Sequence, residues 1–245
     1  MGYFYPYAVG GKCAYITNKS LSEVLKYTKC SEVETSVEKS ISVFSALLRT
    51  EAISADEVSD YAYTPNNNGN LMMFDAYNTT ENSDVAVGDF LNLLKLLGNT
   101  FTVVDLSGGI KSKEVSTIVD ACDVILYTFR CNHRDLEDFY VYYNGLSDSE
   151  KLKVVPVCTA WDDRGVSKGM VKSKIKLKPN KIEWQPYNQN IEKLMLDGNL
   201  ELVMKMLVTG ENCIIPLRDP IIKLLSLLLD SKQGKVVKEF SKWGI

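Results

Sequence analysis

Six short runs of strand-forming residues set the strongest limit on how this chain folds. They occupy 13–17, 71–74, 101–106, 124–129, 154–158 and 182–185. The middle runs, such as Phe-Thr-Val-Val-Asp-Leu, are apolar throughout rather than alternating. Strands buried on both faces carry that pattern. Pro156 weakens the fifth run and the sixth is the poorest in signal. Helical periodicity fills the intervals. The span 85–97 places Val85, Phe90, Leu93, Leu94 and Leu97 at helical spacing, with Gly98 as a stop. Further helices are predicted over 113–121, 135–143, 191–208 with a break at Asp197-Gly198-Asn199, and 220–229. In the last, Asp219 reads as the N-cap and Pro220 as the first helical residue. Strands alternating with helices predict an α/β fold, with a mostly parallel sheet between two helical layers.

A chain of 245 residues, 45% hydrophobic and 24% charged, can bury a full core. No repeat or low-complexity linker divides it, so one domain is expected over 1–245. Its N-terminus, 1–10, and its tail, 231–245, stand apart in pattern. The net charge of −3 hides an asymmetry: residues 1–150 carry −10 and residues 151–245 carry +7. A uniformly basic nucleic-acid binder is excluded, and an anionic partner is expected to meet the C-terminal third. Six cysteines without a CxxC pair, and no secretory pattern at the N-terminus, predict free thiols and a cytoplasmic chain. Cys131 and His133 are near neighbours but do not make a zinc site, and no metal centre is expected.

The run TFTVVDLSGGIKSKEV is the best candidate for chemistry. A strand ends in Asp105, and Gly108-Gly109 turns the chain toward a helix. A carboxylate beside a glycine turn suits a magnesium ion or its water shell near a phosphate. The same arrangement also serves as a plain helix entry, and both readings stay open here.

The order of segments carries a resemblance. The strand with Val103-Val104-Asp105 is followed by IVDACDVILYTF, then KVVPVCTAWDD, then KIEWQPYNQNIEKLMLDGNL. This succession resembles the ParA/MinD family of deviant P-loop ATPases, most closely its TadZ/CpaE-like branch, over roughly residues 11–205. The resemblance implies a three-layer P-loop NTPase fold, with Asp105 as a Walker B-like carboxylate. Gly108, Gly109, Pro186, Tyr187 and Asn188 would belong to the nucleotide site. In the family, ATP and magnesium are the cofactors, and nucleotide-sandwich dimers form.

Two departures qualify it. The family's K-G-G-x-G-K-[ST] loop cradles phosphates with backbone N–H groups and a lysine. Here Val9-Gly10-Gly11-Lys12 is followed by Cys13, with no strand of length before it. Lys12 reads as a turn residue rather than a phosphate ligand. The family's adenine-reading asparagine falls at Thr159. No cofactor is therefore expected for this chain. It reads as a degenerate member acting by binding, in positioning a pilus assembly or segregating a plasmid or chromosome. One alternative is an active ATPase whose loop is missing from this sequence. Another is an unrelated α/β enzyme using Asp105.

From 164 to 181 there are seven basic residues and no acid. Arg164 and Lys168 lead in. Lys172, Lys174, Lys176 and Lys178 then alternate with Val171, Ser173, Ile175 and Leu177, which predicts an extended segment with four ammonium groups on one face. It reads as an aggregation-resistant edge strand, or as a contact for DNA backbone or acidic lipid. No aromatic residue interleaves, so base stacking is not indicated. Val236, Val237, Phe240 and Trp243 share one helical face in the tail. That face suits docking on the core or peripheral attachment at the inner membrane face. Tyr3, Phe4, Tyr5 and Tyr7 predict a buried edge or a protein partner.

Overall fold

A computed structural model describes residues 11–17, 44, 46–47, 50, 52–64, 70–75, 91–98, 100–106, 113–162, 167–175, 182–211 and 215–229. They form two compact units, Met1–Ala121 with Lys193–Val208, and Cys122–Glu192 with Thr209–Ile245.

The first unit holds a three-stranded parallel sheet in the order β2-β1-β3, with β1 at Cys13–Thr17, β2 at Leu71–Asp75 and β3 at Phe101–Asp105. The middle strand, Cys-Ala-Tyr-Ile-Thr, is buried except at Tyr15. One of its faces meets Phe44, Ile53, Val58, Met72, Phe74, Leu93, Leu97 and Ile118 in a single apolar cluster. Residues 91–97 are helical and end at Gly98, whose φ of 52° is the left-handed geometry that glycine accepts without a Cβ clash. Helix α1, Lys113–Ala121, follows β3.

The second unit holds another parallel sheet, β4-β5-β6, with strands at Ile125–Arg130, Val154–Trp161 and Glu183–Pro186. Pro156 sits in the middle strand. The register with β6 begins only at Val157, so the proline lies where β6 demands no ladder bond. Helix α2, His133–Gly145, starts where the Asn132 side chain accepts the Asp135 N–H at 2.8 Å. A short α3, Asp148–Lys153, opens with a Ser147–Glu150 capping box. Helices α4, Lys168–Ile175, and α2 supply Val171, Leu136 and Phe139 to a core with Phe129, Val154, Cys158 and Ile182.

Beyond β6, α5 spans Gln189–Leu196 and α6 spans Leu200–Thr209. The predicted break between them is a helix stop. Gly198 has φ 71°, and the Asn199 N–H returns to the Leu194 carbonyl at 2.8 Å.

The final helix departs from expectation. Helix α7 runs Ile215–Leu228 with Pro220 inside it, so Asp219 is not its N-cap. Pro216 occupies the first turn, where a missing N–H is harmless. Pro220 lies one turn further in and forgoes one intrahelical bond, which the buried Arg218, Ile222, Leu224 and Leu225 offset by packing. Lys223 bridges from this helix to the buried Glu183 of β6 at 2.7 Å. Among the described residues no helix is long and apolar enough to cross a membrane.

Candidate functional site

Asp105 closes β3 at the carboxyl edge of the first sheet. The parallel register aligns it with Thr17, and Thr17 with Asp75, so three strands end together. Ligands of open parallel sheets bind at that edge. The Tyr15 hydroxyl, one pleat back on β1, donates a hydrogen bond to Asp105 Oδ2 at 2.6 Å. One carboxylate oxygen is thus engaged by a phenol of the same sheet. Thr17 is fully buried beside it. Lys12 precedes β1 and is exposed at the opposite, amino edge. A five-residue strand separates the two edges by about 13–17 Å, so Lys12 does not share a site with Asp105. Gly108 and Gly109 lie outside the described residues.

In the second unit, Thr159 pairs in register with Arg130, and its hydroxyl donates to the Phe129 carbonyl at 3.2 Å. One extra residue in β5 between Cys158 and Trp161 makes a bulge, with Ala160 at φ 52°. A non-glycine residue held there stores roughly 1–3 kcal/mol of backbone strain. Trp161 meets Trp184 of β6 edge to face, with ring centroids 5.7 Å apart. The Lys168 ammonium lies 4.3 Å from the Trp161 ring centre and 5.3 Å from that of Trp184. This cation–π contact fixes one lysine of the basic segment against two aromatic rings.

The Pro186-Tyr187-Asn188 turn has structural tasks of its own. Asn188 Oδ1 accepts the N–H groups of Asn190 and Ile191, capping α5. The Tyr187 hydroxyl donates to Glu192 at 2.6 Å, and that bond raises the phenol pKa by holding its proton.

The first two of the alternating lysines do not lie in a strand. Lys172 and Lys174 belong to α4, and the Ser167 hydroxyl caps it by accepting the Met170 N–H at 3.3 Å. Val171 is fully buried by the helical turn, which overrides the alternating charge pattern. Arg164, Lys176 and Lys178 lie outside the described residues, as do the N-terminal aromatics and the tail.

Sequence reasoning missed Tyr15, Trp161, Trp184 and the Cys131–Cys158 contact, because each joins residues distant in the chain. The serine three residues before Met170 was a readable helix start. Among the described residues, no three His, Cys, Asp or Glu side chains cluster in a way that could hold a metal ion.

No protein-family model matches the sequence, and no curated protein matches it. Solved structures do. The chain is similar to a ParA family ATPase from Chlorobium tepidum TLS, with TM-score 0.65 and 10% identity, over 90% of this chain and 86% of that one. It is also similar to a chain of the MinC:MinD cell division protein complex of Aquifex aeolicus, with TM-score 0.61 and 13% identity, over 91% and 87%. The parallel sheets with flanking helices are therefore those of the ParA/MinD-type P-loop NTPase fold.

Proposed function

We propose that the chain is a ParA/MinD-like protein, of the TadZ/CpaE-like kind, that works by binding rather than by ATP turnover. Its role would be to position or partition a cellular machine, such as a pilus assembly or a plasmid or chromosome. One observation carries the reading. The fold shared with a ParA family ATPase and with a chain of the MinC:MinD cell division protein complex is combined here with a strand-end carboxylate, Asp105, whose Oδ2 is taken by Tyr15. No K-G-G-x-G-K-[ST] loop occurs in the sequence to bring phosphates to it. A protein partner suits such a chain, and the similar MinD structure is itself a complex with MinC.

The reading is tested with a fluorescent fusion of the full chain in its own cell. A discrete focus or polar position that persists in Asp105→Ala supports it. A uniform distribution contradicts it.

The basic segment is the proposed contact with an anionic surface, either DNA backbone or acidic lipid. On duplex DNA, three phosphate contacts should lose about 40-fold in affinity between 50 and 200 mM salt. Replacing Lys172, Lys174 and Lys176 with Glu should abolish retention while leaving the circular dichroism spectrum unchanged. A chain that is not retained even at low salt excludes the DNA contact.

A further inference from the structure

Cys131 follows the end of β4 and Cys158 lies in β5. They are 27 positions apart in sequence, yet their sulfurs are 3.0 Å apart. The parallel register places Cys158 beside Phe129, two residues before Cys131, so both side chains leave the same face of the sheet. Cys158 is fully buried, whereas Cys131 is only partly covered. Two thiolates on one zinc ion, each at about 2.3 Å from the metal, stand farther apart than this. A disulfide needs the sulfurs to close by only about 1 Å, to roughly 2.05 Å.

We propose that Cys131 and Cys158 are a modification site, a dithiol pair that hydrogen peroxide converts to a disulfide. The more exposed Cys131, as thiolate, attacks the peroxide O–O bond. An S–O bond forms and the O–O bond breaks, and the expelled hydroxide takes up the proton the Cys131 thiol gave up on ionising and leaves as water, giving a sulfenic acid. The Cys158 sulfur then attacks the Cys131 sulfur. The S–S bond forms, the S–O bond breaks, and the Cys158 thiol proton passes to the departing hydroxide, which leaves as a second water. Two thiols lose two electrons in all, and one hydrogen peroxide becomes two waters.

The division of labour follows from the surroundings. Burial, and then the adjacent Cys131, push the Cys158 thiol upward, with the Lys168 ammonium opposing the rise. Cys158 is thus poorly suited to meet an oxidant first, and its place 3.0 Å from the Cys131 sulfur fits it to resolve a sulfenic acid there. The bond would tie the exit of β4 to β5 just before the Ala160 bulge and Trp161. This inference is independent of the nucleotide reading.

The test treats the reduced full chain with equimolar hydrogen peroxide, blocks remaining thiols and maps unreduced peptides by mass spectrometry. The expected result is one cross-linked pair carrying Cys131 and Cys158, reversed by dithiothreitol, with the other four cysteines alkylated. In Cys158→Ala, the sulfenic acid at Cys131 has no resolving partner. Dimedone labelling there should rise at least tenfold over the wild type. Cys131→Ser should give neither product. Free Cys131 and Cys158 after treatment would overturn the proposal. So would Cys131 paired with another cysteine, or sulfinic acid at Cys131 beside an intact Cys158 thiol.

Discussion

Phe139→Ala is expected to destabilise the second unit by about 3–5 kcal/mol, the usual range for deleting a buried phenyl ring. The residue is fully buried on α2. Its ring centre lies 4.9 Å from that of Tyr127, 5.1 Å from Phe129 and 5.6 Å from Tyr143. Such pairs add about 0.5–1.5 kcal/mol each beyond the area they bury. Alanine leaves a cavity flanked by flat rings, which close poorly around a void. Because whole domains are stable by only about 5–15 kcal/mol, the change should be plain in urea unfolding followed by tryptophan fluorescence. Trp161 and Trp184 pack against this same core and report on it. The internal control is Val141→Ala on the same helix, 67% exposed, which should stay within about 0.5 kcal/mol of the wild type. A Phe139→Ala loss under about 1 kcal/mol would mean that the aromatic cluster does not organise this unit.

What the sequence reveals divides along physical lines. All six strands were legible from their runs of strand-forming residues, although β3 and β4, expected to be buried on both faces, are only half-buried or partly exposed. β1 falls on 13–17 as expected, and the other boundaries move by one to three residues. Helix stops at Gly98 and Gly198 were legible because a left-handed residue must sit at a helix end. The basic segment was misread. Alternating lysines look like a strand edge, but Ser167 supplies a cap and Val171 a buried anchor, and tertiary burial prevails over a surface pattern. The last helix was misread because proline at a first turn is the commoner arrangement. Here Pro216 takes that place and Pro220 is carried inside.

The candidate site was less legible than the fold. Asp105 could be singled out only as one of two readings, since a carboxylate at a strand end before a glycine turn also serves as a plain helix entry. Its partner could not. Tyr15 lies 90 positions away and meets Asp105 only through strand pairing. Trp161 and Trp184 likewise sit on different strands, and Lys168 reaches them only because its segment is helical. Aromatic interleaving was sought along the sequence, whereas the fold supplies it across the sheet. Pro186, Tyr187 and Asn188 were singled out by resemblance, and their hydrogen bonds show what holds the turn: a helix cap and a Tyr–Glu pair.

The central proposal is that this chain does not bind ATP, although it shares its fold with a ParA family ATPase. Phosphates are held by several preorganised backbone N–H donors and a lysine, each charge-assisted bond contributing about 1.5–3 kcal/mol. Without that loop, roughly 5 kcal/mol or more of affinity is lost on the same scale, a factor of several thousand. Asp105 cannot compensate, because a carboxylate repels a triphosphate unless a magnesium ion lies between them, and Tyr15 holds one of its oxygens. The direct measurement is calorimetric titration of the full chain with Mg-ATP. The expected result is no binding in the micromolar range, with the circular dichroism of an intact fold. Micromolar binding that disappears in Asp105→Ala would contradict the account.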